Sequence, residues 1–191
     1  MIKIIGIAGS LRKQSYNTAL LHAAAQLLPE HAALEIASIR NIPLYNEDIE
    51  TTEGVPQAVS LLQERIAASD ALLLATPEYN HSMPGVLKNA IDWLSRPPEQ
   101  IQRVFSERPV AVIGATPGGF GTMLSQNAWL PVFRRLGMRP WLGEKIMLSK
   151  AHQVFNEDGK LQDEAARKQL ASFLAGFVAF VQKNRPDVSE K

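Results

Sequence analysis

Lys3-Ile-Ile-Gly-Ile-Ala8, Gly9-Ser-Leu-Arg-Lys-Gln-Ser-Tyr-Asn17 and Thr18-Ala-Leu-Leu-His-Ala-Ala-Ala-Gln-Leu-Leu28 follow one another and decide the fold. The first segment is a short apolar, β-branched run, the pattern of a strand buried on both faces. The third is rich in helix formers and stops before Pro29. Between them lies a turn bearing hydroxyls, an amide and a cation. A buried strand that passes through such a turn into a helix makes an anion site. The first helical N–H groups have no intrahelical partner, and the helix dipole adds partial positive charge there. Ser10, Ser15 and Asn17 add donors, and Arg12 adds a permanent charge.

Two common phosphate motifs are excluded. A Walker A loop needs G-x-x-x-x-G-K-[ST], and no such glycine and Gly-Lys pair follows Gly9. The dinucleotide fingerprint G-x-G-x-x-G also fails, because Gly6 and Gly9 are three apart and Ser10 comes next. Serines and an asparagine stand in place of glycines, which predicts side chains wrapped around one terminal phosphate, as in a mononucleotide. An ordinary helix capped by Ser or Asn has the same pattern, so the stretch alone leaves both readings open.

Composition narrows the class. The chain has 191 residues, 46% hydrophobic and 20% charged, with a net charge of +1 and no long run of one sign. These are the proportions of a soluble globular protein with a sizeable core, and not the footprint of a nucleic-acid or acidic-membrane binder. With no cysteine, disulfides, thiol nucleophiles and thiolate-held clusters are excluded. The N-terminus enters a strand at once, and no run approaches the length of a membrane span. A cytoplasmic protein is expected.

Strand-like and helix-like segments alternate along the chain. Strands are predicted at residues 33–39, 70–76 and 109–116, with a further one within 138–148. Helices are predicted at 55–69, 86–95, 122–136 and 161–182, with Pro131 kinking the third or starting a new segment. Residues 41–49 read as a turn-rich loop, and the tail from 183 to 191 as loose. With the first strand and helix this makes five βα units, hence an α/β protein of one domain with a doubly wound parallel sheet. Right-handed crossovers then put all strand C-termini on one rim, where such sheets bind ligands.

Three rim loops read together point to a ligand. Gly9 to Asn17 follows the first strand, Thr76-Pro-Glu-Tyr-Asn-His-Ser-Met-Pro-Gly85 the third, and Thr116-Pro-Gly-Gly-Phe-Gly121 the fourth. The second loop is stiffened by two prolines; the third has glycines that let backbone approach a flat group. One phosphate pocket beside two such loops suits flavin mononucleotide (FMN). Taken singly, either loop reads equally well as plain surface; on one rim they favour the cofactor.

Gly9-Ser-Leu-Arg-x-x-Ser-x-Asn17, with Pro77-Glu-Tyr-Asn-x-Ser-x-Pro-Gly-x-Leu-Lys-Asn-Ala-Ile-Asp-Trp93, resembles the NADPH-dependent FMN reductase family, and within it the bacterial quinone and chromate reductases. The resemblance covers roughly residues 2 to 182 in element order. It implies a flavodoxin-like doubly wound five-stranded parallel sheet of order 2-1-3-4-5. It implies FMN as bound cofactor, NADPH or NADH as co-substrate, quinone-like acceptors, and a homodimer or homotetramer. By position, Ser10, Arg12, Ser15, Tyr16 and Asn17 would surround the phosphate. Pro77, Glu78, Tyr79 and Asn80 would line the isoalloxazine, with Thr116 and Gly119 on its third side. Tyr79, Asn80 and His81 would border the substrate. Flavin N5 would carry the hydride in a two-electron ping-pong cycle, so no catalytic side chain and no metal are expected. A flavodoxin-type electron carrier without its own NAD(P)H oxidation is the alternative, with a phosphate-ester enzyme behind it; the lack of net acidity argues against the carrier.

Other residues have plainer readings. His22, His31 and His152 lack metal-ligand spacing and read as structural or solvent-facing. Lys88 and Asp92, four apart on a helix, read as a surface pair, and Trp93 and Trp129 as core or interface. Apolar residues on more than one face of 86–93 mark that helix for assembly, with Arg96-Pro-Pro-Glu-Gln beyond it as a projecting loop.

Overall fold

The structure, a computed structural model, describes residues 1–184. The expected loose tail lies outside the described residues beyond Asn184; Lys183 is the last residue of the terminal helix. The deciding stretch folds as read: β1 (Ile2–Ala8) passes through the loop into α1 (Tyr16–Leu27), which begins two residues earlier than the apolar periodicity indicated. Next come β2 (Ala32–Ala37), α2 (Glu47–Glu53), α3 (Gln57–Ala67), β3 (Ala71–Ala75) and α4 (Gly85–Leu94). Then follow α5 (Gln100–Val104), β4 (Pro109–Ala115), α6 (Met123–Ala128) and α7 (Leu130–Arg135). Two short strands, β5 (Arg139–Pro140) and β6 (Ile146–Leu148), precede α8 (Ala151–Val154) and α9 (Glu164–Lys183).

The sheet is parallel throughout, in the order β2-β1-β3-β4-β5, with β6 also on β4. This is the flavodoxin-like order expected, with one correction: the fifth position holds two short strands. β4 pairs Val110 with Pro140 and Ile113 with Ile146, so residues 141–145 form an excursion that the facing strand does not match. The Trp141 ring meets Phe173 edge-on at 4.7 Å while Leu142 is exposed, so the indole is packed on α9 and the edge strand is interrupted there.

Alternation along the strands builds two cores. Ala71, Leu73 and Ala75 of β3 join α1, α8 and α9, while Leu72 and Leu74 join α3, α4 and α7. Trp93 and Trp129 are fully buried, in agreement with the core reading. Residues 122–136 form two helices that meet at Trp129, with Pro131 in the first turn of the second, where its missing N–H costs little.

Three short helices appear where loops were expected. α2 is the most instructive: Asn46 accepts from the Asp48 N–H and acids fill the first turn, but none of its residues is buried. Without an apolar stripe only the cap marked it. Arg96 to Gln100 does not project freely. The Arg96 guanidinium folds back onto Glu50, its carbonyl accepts from Gln63, and the chain continues into α5.

Candidate active site

The three loops share the rim because β1, β3 and β4 end in register, and their hydrogen bonds continue past the strands. Gly9 N–H donates to Ala75, Thr76 N–H to Ile113, and Thr116 N–H to Leu148. The loops also touch. A Cβ on Gly9 would lie 2.9 Å from Pro84 Cγ and 3.0 Å from Pro77 Cδ, so only glycine lets the first and second loops close on each other. A Cβ on Gly114 would meet Thr122 Oγ1 at 2.0 Å and the Thr76 carbonyl at 2.5 Å, which joins the second and third.

The first loop is an anion cradle. Ser15 is the N-cap of α1; its Oγ accepts from the Thr18 N–H at 3.3 Å and keeps its own proton to donate. Among the described residues, no acceptor takes the N–H groups of Tyr16 and Asn17 in the first turn. Ser10 Oγ accepts from the Arg12 N–H at 3.4 Å, and the exposed Arg12 guanidinium has no acidic partner among the described residues. Arg40, beyond β2, donates to the Leu11 carbonyl at 2.6 Å and holds the loop from its far side. No sequence pattern marked Arg40; only the β2-β1 adjacency brings it there.

Two expected phosphate ligands have other side-chain roles. Asn17 is buried, and its amide clamps β4: Nδ2 donates to the Ala115 carbonyl at 2.9 Å and Oδ1 accepts from the Ala115 N–H at 3.0 Å. Its backbone N–H, in the first turn of α1, is without an acceptor among the described residues. The Tyr16 ring lies 5.8 Å from the Phe155 ring, on the edge of the core beneath α9.

The second loop is a tight hairpin. Tyr79 and Ser82 exchange hydrogen bonds of 3.1 and 3.0 Å, and Asn80 and His81 both take positive φ, of 49° and 60°. Two left-handed non-glycine residues at one tip are a strained arrangement of the kind found where a ligand is handled. The Glu78 carboxylate, 10% exposed, accepts from the N–H groups of Leu124 and Ser125 at 2.9 and 3.2 Å, and so fixes the hairpin to the start of α6. The Glu78 side chain is thus engaged by α6, and the residue's own N–H is without an acceptor among the described residues. His81 Nδ1 lies 3.6 Å from Glu78 Oε1 with its ring exposed.

Beneath the hairpin a buried polar cluster joins the loops. Thr76 Oγ1 shares a 2.8 Å hydrogen bond with Ser125 Oγ and accepts from Trp129 Nε1 at 3.3 Å. The sequence reading missed Ser125 and this use of Trp129, because their partner lies far away in the chain. The third loop is held by the residues after β6: Lys150 N–H donates to Gly118 and Ala151 N–H to Thr116. Thr116 Oγ1 accepts from the Gly118 N–H at 3.3 Å. A Cβ on Gly119 would meet nothing within 4 Å, so this loop leaves open space at the rim. Tyr79, Phe120 and Met123 expose apolar surface beside it. His22, His31 and His152 are exposed and away from the hairpin, and Lys88 and Asp92 pair at 2.8 Å.

The donor set fits FMN: the unpaired amides, two hydroxyls and the Arg12 guanidinium would hold its phosphate, and the open backbone of the other two loops would take its ring. A flavodoxin-like sheet with such a rim defines a class of mononucleotide-binding proteins. The family model for NADPH-dependent FMN reductase matches residues 2–153. The chain is 46% identical over 184 residues to an NAD(P)H-dependent FMN reductase of Pseudomonas aeruginosa, covering 96% of this chain and 97% of that one. It is 35% identical to a 2-hydroxy-1,4-benzoquinone reductase of a Burkholderia species, over 96% and 98% of the two chains. The solved structure of the flavoenzyme NAD(P)H:(acceptor) oxidoreductase FerB of Paracoccus denitrificans superposes with a TM-score of 0.87 at 33% identity, over 97% of this chain and 100% of that one. The chain belongs to the NADPH-dependent FMN reductase family.

Proposed function

We propose that this chain is an FMN-dependent NAD(P)H oxidoreductase that reduces quinones. The observation that carries the reading is the rim itself, with an anion cradle at one end and two fixed loops bearing open backbone and exposed apolar side chains at the other. Relatives that span the whole chain and are named FMN and quinone reductases support it. Bound FMN supplies the acceptance and return of two electrons.

The chain's own residues bind and orient. Ser10, Arg12, Ser15 and the N–H groups of Tyr16 and Asn17 hold the phosphate. Pro77, Glu78, Tyr79 and Asn80 on one side, with Thr116 and Gly119 on the other, border the ring through backbone and small side chains. Tyr79, Asn80 and His81 edge the open face, where donor and acceptor take turns. Glu78 and the Thr76 cluster keep that edge rigid. The chain assembles as a homodimer or homotetramer through α4, beside which Ile91, Ile101 and Val132 line a groove of about 350 Å³. No helix among the described residues is long and apolar enough to cross a membrane. The cytoplasm, which maintains reduced nicotinamide dinucleotides, is the location the activity requires.

The purified protein is expected to show flavin absorbance, to bleach anaerobically with NAD(P)H, and to recover its colour on adding a quinone. A colourless protein that takes up no FMN would overturn the reading. A coloured one that NAD(P)H cannot bleach would be an electron carrier instead. Parallel double-reciprocal lines against quinone concentration are expected for a shared face, and intersecting lines rule it out. Light scattering at micromolar protein checks the assembly.

A further inference from the structure

Ser125 is a fully buried serine within α6, where an alanine would serve the helix at least as well. A buried hydroxyl is costly unless it is bonded, so its partner explains its presence. That partner is Thr76 Oγ1, 2.8 Å away, equally buried and just beyond the end of β3.

Thr76 Oγ1 has three polar contacts: Ser125 Oγ, Trp129 Nε1 at 3.3 Å and the Pro77 carbonyl at 3.0 Å. A hydroxyl has one proton and two lone pairs, and an indole N–H only donates. One assignment satisfies all three contacts. Trp129 and Ser125 donate to Thr76, and Thr76 donates its single proton to the Pro77 carbonyl. In keeping with it, no buried side-chain nitrogen or oxygen lacks a partner among the described residues.

The consequence falls on the other side of the peptide. The Pro77–Glu78 bond is planar and trans, so a carbonyl turned toward the cluster turns the Glu78 N–H away from it. That N–H has no acceptor among the described residues. The Pro77 ring fixes one backbone torsion of the segment. The Glu78 carboxylate, on the N–H groups of Leu124 and Ser125, ties down its far end. Ser125 thus holds the segment twice, by its amide on Glu78 and by its hydroxyl on Thr76. Turning the peptide over would break the bond from Thr76 and leave a buried hydroxyl proton unpaired.

We infer that Thr76, oriented by Ser125 and Trp129, is a positioning residue for electron transfer: it keeps the Glu78 N–H turned to the rim as a fixed donor, so that the bound flavin is held more tightly when reduced. The inference rests on the FMN oxidoreductase reading above. Two-electron reduction adds negative charge to the ring, and a donor already aimed stabilises that charge without reorganising. Thr76 touches neither ring nor substrate in this role. It acts through the Glu78 amide, and its effect falls on the potential of the flavin.

The test is the two-electron midpoint potential of bound FMN, set with dithionite and a reference dye, in wild type, Thr76→Val, Thr76→Ser and Ser125→Ala. Thr76→Val is expected to weaken reduced FMN about tenfold relative to oxidised FMN, which lowers the potential by about 30 mV. Ser125→Ala should move it the same way by less, and Thr76→Ser, which keeps the hydroxyl, should restore it. A second readout is the amide nitrogen-15 resonance of Glu78 in FMN-loaded protein. It should shift on reduction in wild type and lose most of that shift in Thr76→Val. A wild-type potential in Thr76→Val overturns the inference. So does a Thr76→Ser variant that behaves like Thr76→Val, because packing and not the hydroxyl would then be responsible. If Thr76→Val does not fold, Ser125→Ala decides, and a wild-type potential there overturns the inference. Protein that binds FMN but is not bleached by NAD(P)H strikes only the oxidoreductase reading, since dithionite still sets the potential. Protein that takes up no FMN strikes both.

Discussion

Around Glu50 the polar heads of Arg96, Tyr45, Asn89 and Trp93 all have partners, whereas in the cradle the Arg12 guanidinium has no side-chain partner among the described residues. Arg96 Nε donates to both oxygens of Glu50, at 3.0 and 2.8 Å, and Tyr45 Oη donates to Oε2 at 2.9 Å. Asn89 accepts from the Tyr45 N–H and donates to the Pro43 carbonyl, which also takes Trp93 Nε1. The network straps residues 43–50 to α4. Charge that closes on itself in this way builds structure, while charge left open beside unpaired amides awaits a ligand. Both regions flank the same rim. Substitutions should therefore separate them: the strap should change stability, and the cradle should change ligand affinity.

The largest effect is expected where the cradle depends on the core. Asn17→Leu leaves both the N–H and the C=O of Ala115 buried and unpaired, which should cost about 2–4 kcal/mol in urea unfolding. FMN affinity should fall with it, because the clamp fixes the start of α1 against β4. An unchanged urea midpoint would show that the clamp contributes nothing.

Next comes the open charge itself. Arg12→Ala should weaken FMN by about 1.5–3 kcal/mol in a fluorescence titration, while riboflavin, lacking the phosphate, should change little. Stability of the apoprotein should stay within about 0.5 kcal/mol, since the guanidinium has no partner to lose among the described residues. Equal loss of both ligands would put the phosphate elsewhere and erase the contrast between the two regions.

The smallest effect belongs to the strap. Arg96→Gln should cost no more than about 1 kcal/mol, because the pair is partly exposed. FMN affinity should not move. The hydrogen bond from Arg96 holds the Glu50 carboxyl below its ordinary range, with that from Tyr45 adding to it. A depressed carboxylate contributes stability that is full above the unfolded value, about 4.3, and lost as pH falls through the folded one. The difference between wild type and Arg96→Gln should thus be full at neutral pH and shrink below about pH 4. A difference that stays constant down to acid would mean the pair is not what Arg96 supplies.

Much of the fold could be read from local pattern. The run from Lys3 to Leu28 announced strand, cradle and helix because burial on both faces, hydroxyl capping and helix propensity all act within a few residues. Pro77 and Pro84 marked a stiff loop in the same way, and Pro131 marked the break between α6 and α7. The edge strand escaped because its interruption depends on where Trp141 finds aromatic partners, on a helix that begins more than twenty residues later. α2 escaped because it buries nothing, and burial is what writes periodicity into a sequence.

The sequence by itself determined the alternation of strands and helices, the three rim loops and the hydroxyl, amide and cation character of the first of them. Only the tertiary structure decided which of those groups remain available. Asn17 reads as a free donor until β4 arrives beside it, 98 residues on, and Glu78 reads as a cofactor contact until α6 presents its N–H groups. Arg40 reads as nothing until β2 lies next to β1. The reason is physical. Propensity and capping are settled within a turn of chain, but a hydrogen-bonding group is free or committed according to its neighbours in space. In a parallel sheet every neighbouring strand is reached through a crossover, and so comes from a distant part of the chain.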